Sequence, residues 1–217
     1  MKKVNLHLCL AACLMAAVAP PAHAQYSLHR STNAFFAALA SSNYATESFS
    51  SLAPGFTNNP YSFTNSPYVF QANIPGSSFI SVESYDGKAA LATVATAQSL
   101  IFTNFSPTIR AFGAYLYSTD TNAIEAQPLT ISLLLNSGPA YTFTTNVGTT
   151  SLNDYFFGFI TDSPLTIQSL TLSVTNELAF ATASEVTIST VPEPSTYAML
   201  GLAAAALGAH IIRRRRS

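Results

Sequence analysis

The sequence predicts a mainly β protein: an antiparallel, jelly-roll-like β-sandwich with one short N-terminal helix, plus a C-terminal transmembrane helix. Two observations predict the sheets. Between residues 40 and 190 the chain is rich in Thr, Phe, Tyr, Val, Ile and Leu, which favour strands. Pro, Gly and Asn divide this region into short segments, which favours turns. A third observation, an apolar run without charged residues near the C-terminus, predicts the membrane helix.

The N-terminal helix is predicted over residues 34–40. Residues 31–33 are Ser, Thr and Asn, whose side chains can cap the first turn of a helix. Phe35, Phe36 and Leu39 fall on one helical face, so that face is expected to pack on a sheet.

Strands are predicted where apolar residues alternate with polar ones. Residues 136–139, Asn-Ser-Gly-Pro, indicate a hairpin turn, and a shift of the alternation at Gln168 and Ser169 indicates a β-bulge. No repeat of fixed period is present, which disfavours a β-helix or a propeller. The predicted strands cover residues 46–50, 79–83, 100–105, 110–117, 129–135, 141–145, 155–161, 165–175 and 185–190.

Two glycines stand inside predicted aromatic strands. Gly113 and Gly158 are each flanked by Phe, Tyr or Ala residues. Glycine in a strand marks either a bulge or a place where another group approaches the backbone closely. We therefore expect that an aromatic side chain lies over these two positions or that they form bulges.

The N-terminus has the pattern of a secretory signal peptide over residues 1–24. Two lysines precede an apolar stretch over residues 4–18, and Ala22 and Ala24 form an A-x-A cleavage site, which makes Gln25 the first residue of the mature protein. The alternative is a lipoprotein, because residues 10–13 resemble a lipoprotein box ending in Cys13. Cleavage there would leave a very short apolar region.

The C-terminus combines a short proline motif, an apolar segment and a basic end. Residues 196–212 contain no Asp, Glu, Lys or Arg and would span about 26 Å as a helix at about 1.5 Å per residue, near the lower limit for crossing a bilayer core. A cluster of four arginines follows this segment. Arginines are costly to move across a membrane, so the cluster fixes the orientation of the helix in the bilayer. It consists of Arg213, Arg214, Arg215 and Arg216.

This tail resembles the PEP-CTERM sorting signal of Gram-negative bacteria. The three parts occur in the family's order at the chain end, and the motif itself is Val191, Pro192, Glu193, Pro194 and Ser195. The resemblance implies a sorting signal over residues 191–217 and an exosortase, a membrane-embedded cysteine protease, as the processing partner. It also implies export through the inner membrane, transient anchoring by the C-terminal helix, and then a cell-surface or extracellular location, in association with extracellular polysaccharide and biofilm.

A second resemblance lies within the predicted domain. Residues 105–113 and 155–160 are similar to stretches that recur in PEP-CTERM proteins. Those relatives often carry an Asp-Asn pair on the final strand, and Ala183, Ser184 and Glu185 stand in its place here.

Removal of both signals leaves a domain over residues 25–190 in which several kinds of site are excluded. It contains no cysteine, so we expect neither disulfides nor thiolate metal sites. His29 is its only histidine, which disfavours a Ser-His-Asp triad. Three basic residues against nine acidic ones give a net charge of −6, which does not suit nucleic acid.

We expect no cofactor and no metal. The segment from Asp120 through Asn122 to Glu125 has some features of a calcium loop, since oxygen ligands at alternate positions suit Ca²⁺. It lacks the central glycine and the remaining ligands of an EF-hand, so a solvated loop between strands is preferred.

Two functions follow from these residues. The first is a non-enzymatic surface or matrix protein, structural or polysaccharide-binding, with no catalytic residues. The alternative is an exported carbohydrate-active enzyme similar to glycoside hydrolases, which needs two carboxylates facing each other about 5 to 9.5 Å apart. The positions of the nine acidic residues in the fold discriminate between the two.

Overall fold

A computed structural model describes residues 26–39, 43–85, 87–120, 128–145, 155–162, 164–174 and 178–190. In these ranges every strand pairing is antiparallel and one helix is present. The prediction of a mainly β, antiparallel protein with one short helix is therefore confirmed.

The elements follow one another along the chain as a single helix among short strands. The helix α1 spans Thr32–Leu39. The strands are β1 (Tyr26–His29), β2 (Tyr44–Glu47), β3 (Gly55–Asn58), β4 (Tyr61–Asn65), β5 (Tyr68–Asn73), β6 (Phe79–Tyr85), β7 (Lys88–Ala92), β8 (Ser99–Thr103), β9 (Ala111–Thr119), β10 (Leu129–Leu135), β11 (Tyr141–Thr144), β12 (Phe156–Thr161), β13 (Ile167–Val174) and β14 (Phe180–Ser189).

The strands form two sheets. The larger has the order β1-β12-β9-β14-β7-β6-β3, and β2 pairs with the second half of β14 on the side where β7 pairs with the first half. The smaller has the order β11-β10-β13-β8-β5-β4. The last strand, β14, thus lies in the middle of the larger sheet.

Both sheets contribute side chains to one hydrophobic cluster. Strand β10 shows the pattern most clearly, because every second residue from Leu129 to Leu135 is buried. Phe102 of the smaller sheet meets Phe112 of the larger with 5.5 Å between ring centroids. Side chains of both sheets therefore share one buried cluster, and the alternation along β10 is the one that the sequence predicts.

The helix α1 packs on the opposite face of the larger sheet. Its first turn is capped by Ser31, whose Oγ accepts a hydrogen bond from the Ala34 amide at 3.3 Å. Phe35 and Leu39 are fully buried there in a second hydrophobic cluster. The helix begins two residues before the predicted start and buries the predicted face, except that Phe36 stays partly exposed.

Phe35 lies over the two glycines singled out in the sequence. Gly113 and Gly158 are register partners on β9 and β12. A Cβ at Gly113 would lie 2.6 Å from Phe35 Cε1, and one at Gly158 would lie still closer to Cδ2. The prediction that these glycines admit an aromatic side chain over the strand is confirmed.

Two predicted boundaries were wrong for local reasons. Strand β8 ends at Thr103 because Asn104 adopts a left-handed backbone with φ 53°. Strand β14 begins at Phe180, five residues before the predicted start, and is interrupted by a bulge at Glu185. His29 belongs to β1 and pairs with Gly158.

Five strands, β1, β3, β4, β5 and β7, were not predicted from the sequence. The predicted signal peptide over residues 1–24, the predicted transmembrane helix over 196–212 and the basic tail over 213–216 lie outside the described residues. Among the described residues, no helix combines the length and apolar character needed to cross a bilayer.

Candidate functional site

A polar groove lies at one end of the smaller sheet, where β8 ends and β13 begins. It encloses about 380 Å³, near the lower end of the volumes of small-molecule sites, about 300–1,000 Å³. No charged residue of the described ranges lines it. Its lining consists of Thr103, Asn104, Phe105, Pro107, Asn136, Thr166, Ile167 and Gln168.

Local backbone features place three amide side chains around this groove. Gln168 is the extra residue of a β-bulge, because Leu134 pairs with Ser169 while Leu135 pairs with Ile167. This bulge was predicted from the sequence. Asn104 follows β8 in its left-handed conformation, which asparagine tolerates better than most residues, and its Nδ2 donates to Gln71 Oε1.

Asn136, in the predicted hairpin turn, is held by two reciprocal hydrogen bonds to Thr166. Its backbone amide donates to the Thr166 carbonyl at 3.0 Å, and its Oδ1 accepts from the Thr166 amide at 3.1 Å. These bonds fix the side chain and use its acceptor. Its Nδ2 donors make no hydrogen bond to any described residue.

A second polar cluster lies on the outer face of the larger sheet at the bulge in β14. Lys88 Nζ donates to Glu185 Oε2 at 2.7 Å and lies 4.3 Å from the centroid of the Tyr115 ring. Glu185 has φ 50°, a left-handed conformation that is rare for a residue with a long side chain. The bulge turns this side chain toward Lys88.

The charge state of Lys88 decides what this cluster can do. Burial lowers the pKa of Lys88, but the hydrogen bond and charge of Glu185, with a contribution from Tyr115, outweigh it and raise the pKa above its ordinary value. Ser184, next to Glu185, is fully buried, and its Oγ has no hydrogen-bond partner among the described residues. A Ser-Lys catalytic pair needs a neutral lysine and an accessible hydroxyl. Lys88 and Ser184 provide neither.

Two substitutions of Glu185 distinguish the contribution of its ion pair to stability from the cost of its left-handed backbone conformation. We expect Glu185→Gln to lower the free energy of unfolding by at most about 1 kcal/mol, because both side chains of the pair are about a third exposed. Glu185→Gly loses the same pair but relieves the left-handed backbone, so it should be at least as stable as Glu185→Gln. Urea unfolding of both variants measures the difference.

The pH dependence of stability provides a second readout for the same pair. Since Glu185 raises the folded-state pKa of Lys88, its stabilisation is fully present below the ordinary lysine pKa of 10.5 and is lost as the pH rises through the folded pKa. The wild type should therefore lose its advantage over Glu185→Gln above about pH 10.5. An advantage that persists unchanged at higher pH would contradict the assignment.

The remaining acidic residues of the described ranges do not form a metal site. Glu47 accepts hydrogen bonds from the Phe49 amide at 2.6 Å and the Tyr61 hydroxyl at 3.0 Å, and the pKa of Tyr61 is raised by burial and by the Glu47 charge. This arrangement fixes the loop after β2. Asp120 follows β9, whereas Asn122 and Glu125 lie outside the described residues. The described ranges contain no group of three residues able to ligate a metal.

The residues predicted to direct sorting all lie outside the described part of the chain. They are the motif Val191, Pro192, Glu193, Pro194 and Ser195, the cluster Arg213, Arg214, Arg215 and Arg216, and the cleavage residues Ala22, Ala24 and Gln25. The motif follows directly on the last strand, because β14 ends at Ser189.

Residues 190–216 match the family model of the PEP-CTERM protein-sorting motif. The C-terminal segment of the chain therefore carries a PEP-CTERM protein-sorting motif. For a PEP-CTERM protein the motif implies exosortase as the processing partner, and it indicates export and sorting to the cell surface. The resemblance of the C-terminal tail to the PEP-CTERM sorting signal is thereby confirmed. The matched range contains the predicted motif, the apolar segment and the arginines.

The match covers residues 190–216 and does not extend to the β domain. Neither a curated protein nor a solved structure shows significant similarity to the chain. The role of the domain must therefore be argued from its own residues. The polar groove could not be located from the sequence, because its residues come from three separate segments.

Proposed function

We propose that this chain is an exported cell-surface protein whose β domain binds extracellular polysaccharide without catalysing a reaction. The PEP-CTERM match at residues 190–216 is the observation that carries the proposal, because this motif directs proteins to the cell surface. In the proposed course, residues 1–24 are removed on export and residues 196–212 anchor the precursor until the tail is cleaved. The protein then belongs to the biofilm matrix.

The fold supports a binding role. We infer that the two sheets close into a jelly-roll-like sandwich over residues 25–190, since side chains of both sheets meet in one buried cluster. A rigid scaffold of this kind positions loops and strand ends for binding. The uncharged lining of the groove offers no carboxylate that could act as an acid or a nucleophile there.

One observation favours the enzyme alternative. Glu83 on β6 and Ser184 on β14 are both register partners of Ala90 on β7, which places Glu83 and the neighbouring Glu185 about two strand spacings apart, near 9.5 Å. Burial raises the pKa of Glu83, partly offset by a hydrogen bond from Ser81. Two carboxyl groups on one face of a sheet, one of them with a raised pKa, are the kind of pair that glycoside hydrolysis uses.

A single incubation tests both functions. The full chain is mixed with insoluble polysaccharide extracted from a biofilm-forming host, and bound protein and new reducing ends are measured together. We expect co-sedimentation without new reducing ends. Reducing ends that disappear in Glu83→Gln but persist in the exposed control Asp162→Asn would instead establish the enzyme. Absence of both binding and hydrolysis would overturn the proposal for the domain.

A further inference from the structure

We propose that the polar groove at the end of the smaller sheet is the binding site and that it takes a short segment of a neutral, uncharged polysaccharide. This inference rests on the proposed function and narrows it to a site and a ligand class. The groove is defined by the lining residues given above, from Thr103 to Pro107, Asn136, and Thr166 to Gln168.

The chemistry of the lining suits hydroxyl groups. An amide side chain offers both donors and an acceptor, and so does a sugar ring through its hydroxyls. The groove gathers three amides and two hydroxyls. The side chains of Thr103, Thr166 and Gln168 make no hydrogen bond to any described residue, so their capacity is available to a ligand.

The polar groups are held in place before a ligand arrives. Asn136 is fixed by its two bonds with Thr166, and the amide of Asn104 by its bond to Gln71. Gln168 projects from a bulge, a feature that redirects a side chain out of the regular alternation. Groups already ordered in the free protein lose less conformational entropy on binding, which favours affinity for weak polar ligands.

The groove also has an apolar component of fixed position. Phe105 is half-buried, and its ring packs against Phe70 at 6.3 Å and Phe112 at 6.0 Å between centroids. Both neighbours belong to the core, so the ring has little freedom. Sugar rings carry C–H faces as well as hydroxyls, and aromatic side chains provide the apolar contact for such faces. The chain has no tryptophan to do so.

Charge distinguishes neutral from acidic polysaccharides. The segment over residues 25–190 carries a net charge of −6, and no lysine or arginine among the residues that the structure describes lines the groove. A polymer of uronic acids would meet like charge at long range and no cation at the site. The ligand class is therefore neutral.

The test measures affinity for two oligosaccharide panels by isothermal titration calorimetry. One panel contains neutral hexasaccharides of glucose and mannose, and the other contains uronic-acid hexamers. The full chain is purified in a detergent without a sugar head group, so that the detergent does not compete. We expect binding to at least one neutral hexasaccharide and none to the uronic-acid panel.

Two variants locate the site. Asn136→Asp keeps the acceptor that holds Thr166 but removes the donors that face the groove, and Gln168→Glu replaces an exposed amide by a charge. Each should weaken neutral-sugar binding about tenfold, the upper range for one lost neutral hydrogen bond, with the melting temperature unchanged. Asn65→Asp, an exposed change at the end of β4, is the matched control and should bind as the wild type.

The outcomes separate the site from the proposed function. Wild-type binding that neither groove variant weakens would overturn the groove as the site while leaving polysaccharide binding intact. Binding confined to uronic-acid oligomers would overturn the neutral class but not the function. Failure of the wild type to bind either panel would overturn this inference, and failure to co-sediment with the insoluble polysaccharide would overturn the proposed function as well.

Discussion

Replacing Gly158 with alanine is expected to lower the free energy of unfolding by about 1–3 kcal/mol, the usual cost of overpacking a well-packed site. The new Cβ would overlap Phe35, which is fully buried between α1 and the larger sheet. At an open strand position the same change would stabilise the protein by about 0.5–1 kcal/mol, because alanine loses less backbone entropy than glycine. Destabilisation by Gly158→Ala would therefore indicate that Phe35 lies against this position, whereas stabilisation would indicate that the position is open. Urea unfolding monitored by circular dichroism measures it.

A double-mutant cycle with Phe35 provides the control. Phe35→Ala alone should cost about 3–5 kcal/mol, as expected for a large buried aromatic side chain. In that background the clash is absent, so Gly158→Ala should become neutral or stabilising. Gly113→Ala should be relieved less by Phe35→Ala, because its Cβ would also lie 3.0 Å from Phe156 Cζ. An equal cost of Gly158→Ala in both backgrounds would show that Phe35 is not the cause.

Replacing Glu193 with alanine is expected to leave the tailed precursor in the inner membrane. Glu193 is the one charged residue between Val186 and the arginine cluster, and it lies within the range matched to the sorting motif. It is therefore the natural contact for a protease at the membrane surface. Cell fractionation and intact-mass measurement in a host that has an exosortase detect the retained tail.

Two controls show whether the effect of Glu193→Ala is specific to the sorting motif. Asp162→Ala removes an exposed acid from the folded domain and should be processed as the wild type. Glu193→Ala should leave the melting temperature unchanged, since the motif follows the last strand. Neutral residues in place of the arginines from 213 to 216 should weaken retention of the precursor, because the charges that stop transfer are lost. If Glu193→Ala protein loses its tail and reaches the surface normally, the role assigned to the motif is wrong.

The parts of the fold that the sequence predicted are those with a clear alternation. Strand β10 alternates leucine and isoleucine with threonine, serine and leucine, and its bounds are as predicted. Strands β3, β4 and β5 contain Asn, Gln, Ser and Thr between prolines, a composition shared with loops. Strand β7 is mostly alanine, which carries little strand signal. Long-range pairing, which the local sequence does not reveal, stabilises these strands.

The groove likewise combines features that the sequence predicts with features that it does not. The bulge at Gln168 and the turn at Asn136 were predicted, because each breaks a local pattern. Their convergence with Asn104 around one groove was not, because it depends on how β8, β10 and β13 pair. The bulge at Glu185 was missed for a related reason: it interrupts the alternation of β14, so only the part after it had a recognisable pattern.

The central place of β14 has a consequence for vectorial export. This strand hydrogen-bonds to β9 on one side and to β7 and β2 on the other, and Thr46 meets Thr187 across 141 positions of sequence. A chain that crosses the membrane from its N-terminus delivers β14 after every other strand. Until then the larger sheet lacks its central strand. Pairings between strands so far apart in the sequence form slowly. Until β14 arrives, its three partner strands present open edges, which are sites of misassembly. The sorting motif matched at residues 190–216 follows in the sequence, so this sheet is completed only when the chain up to that motif has been delivered.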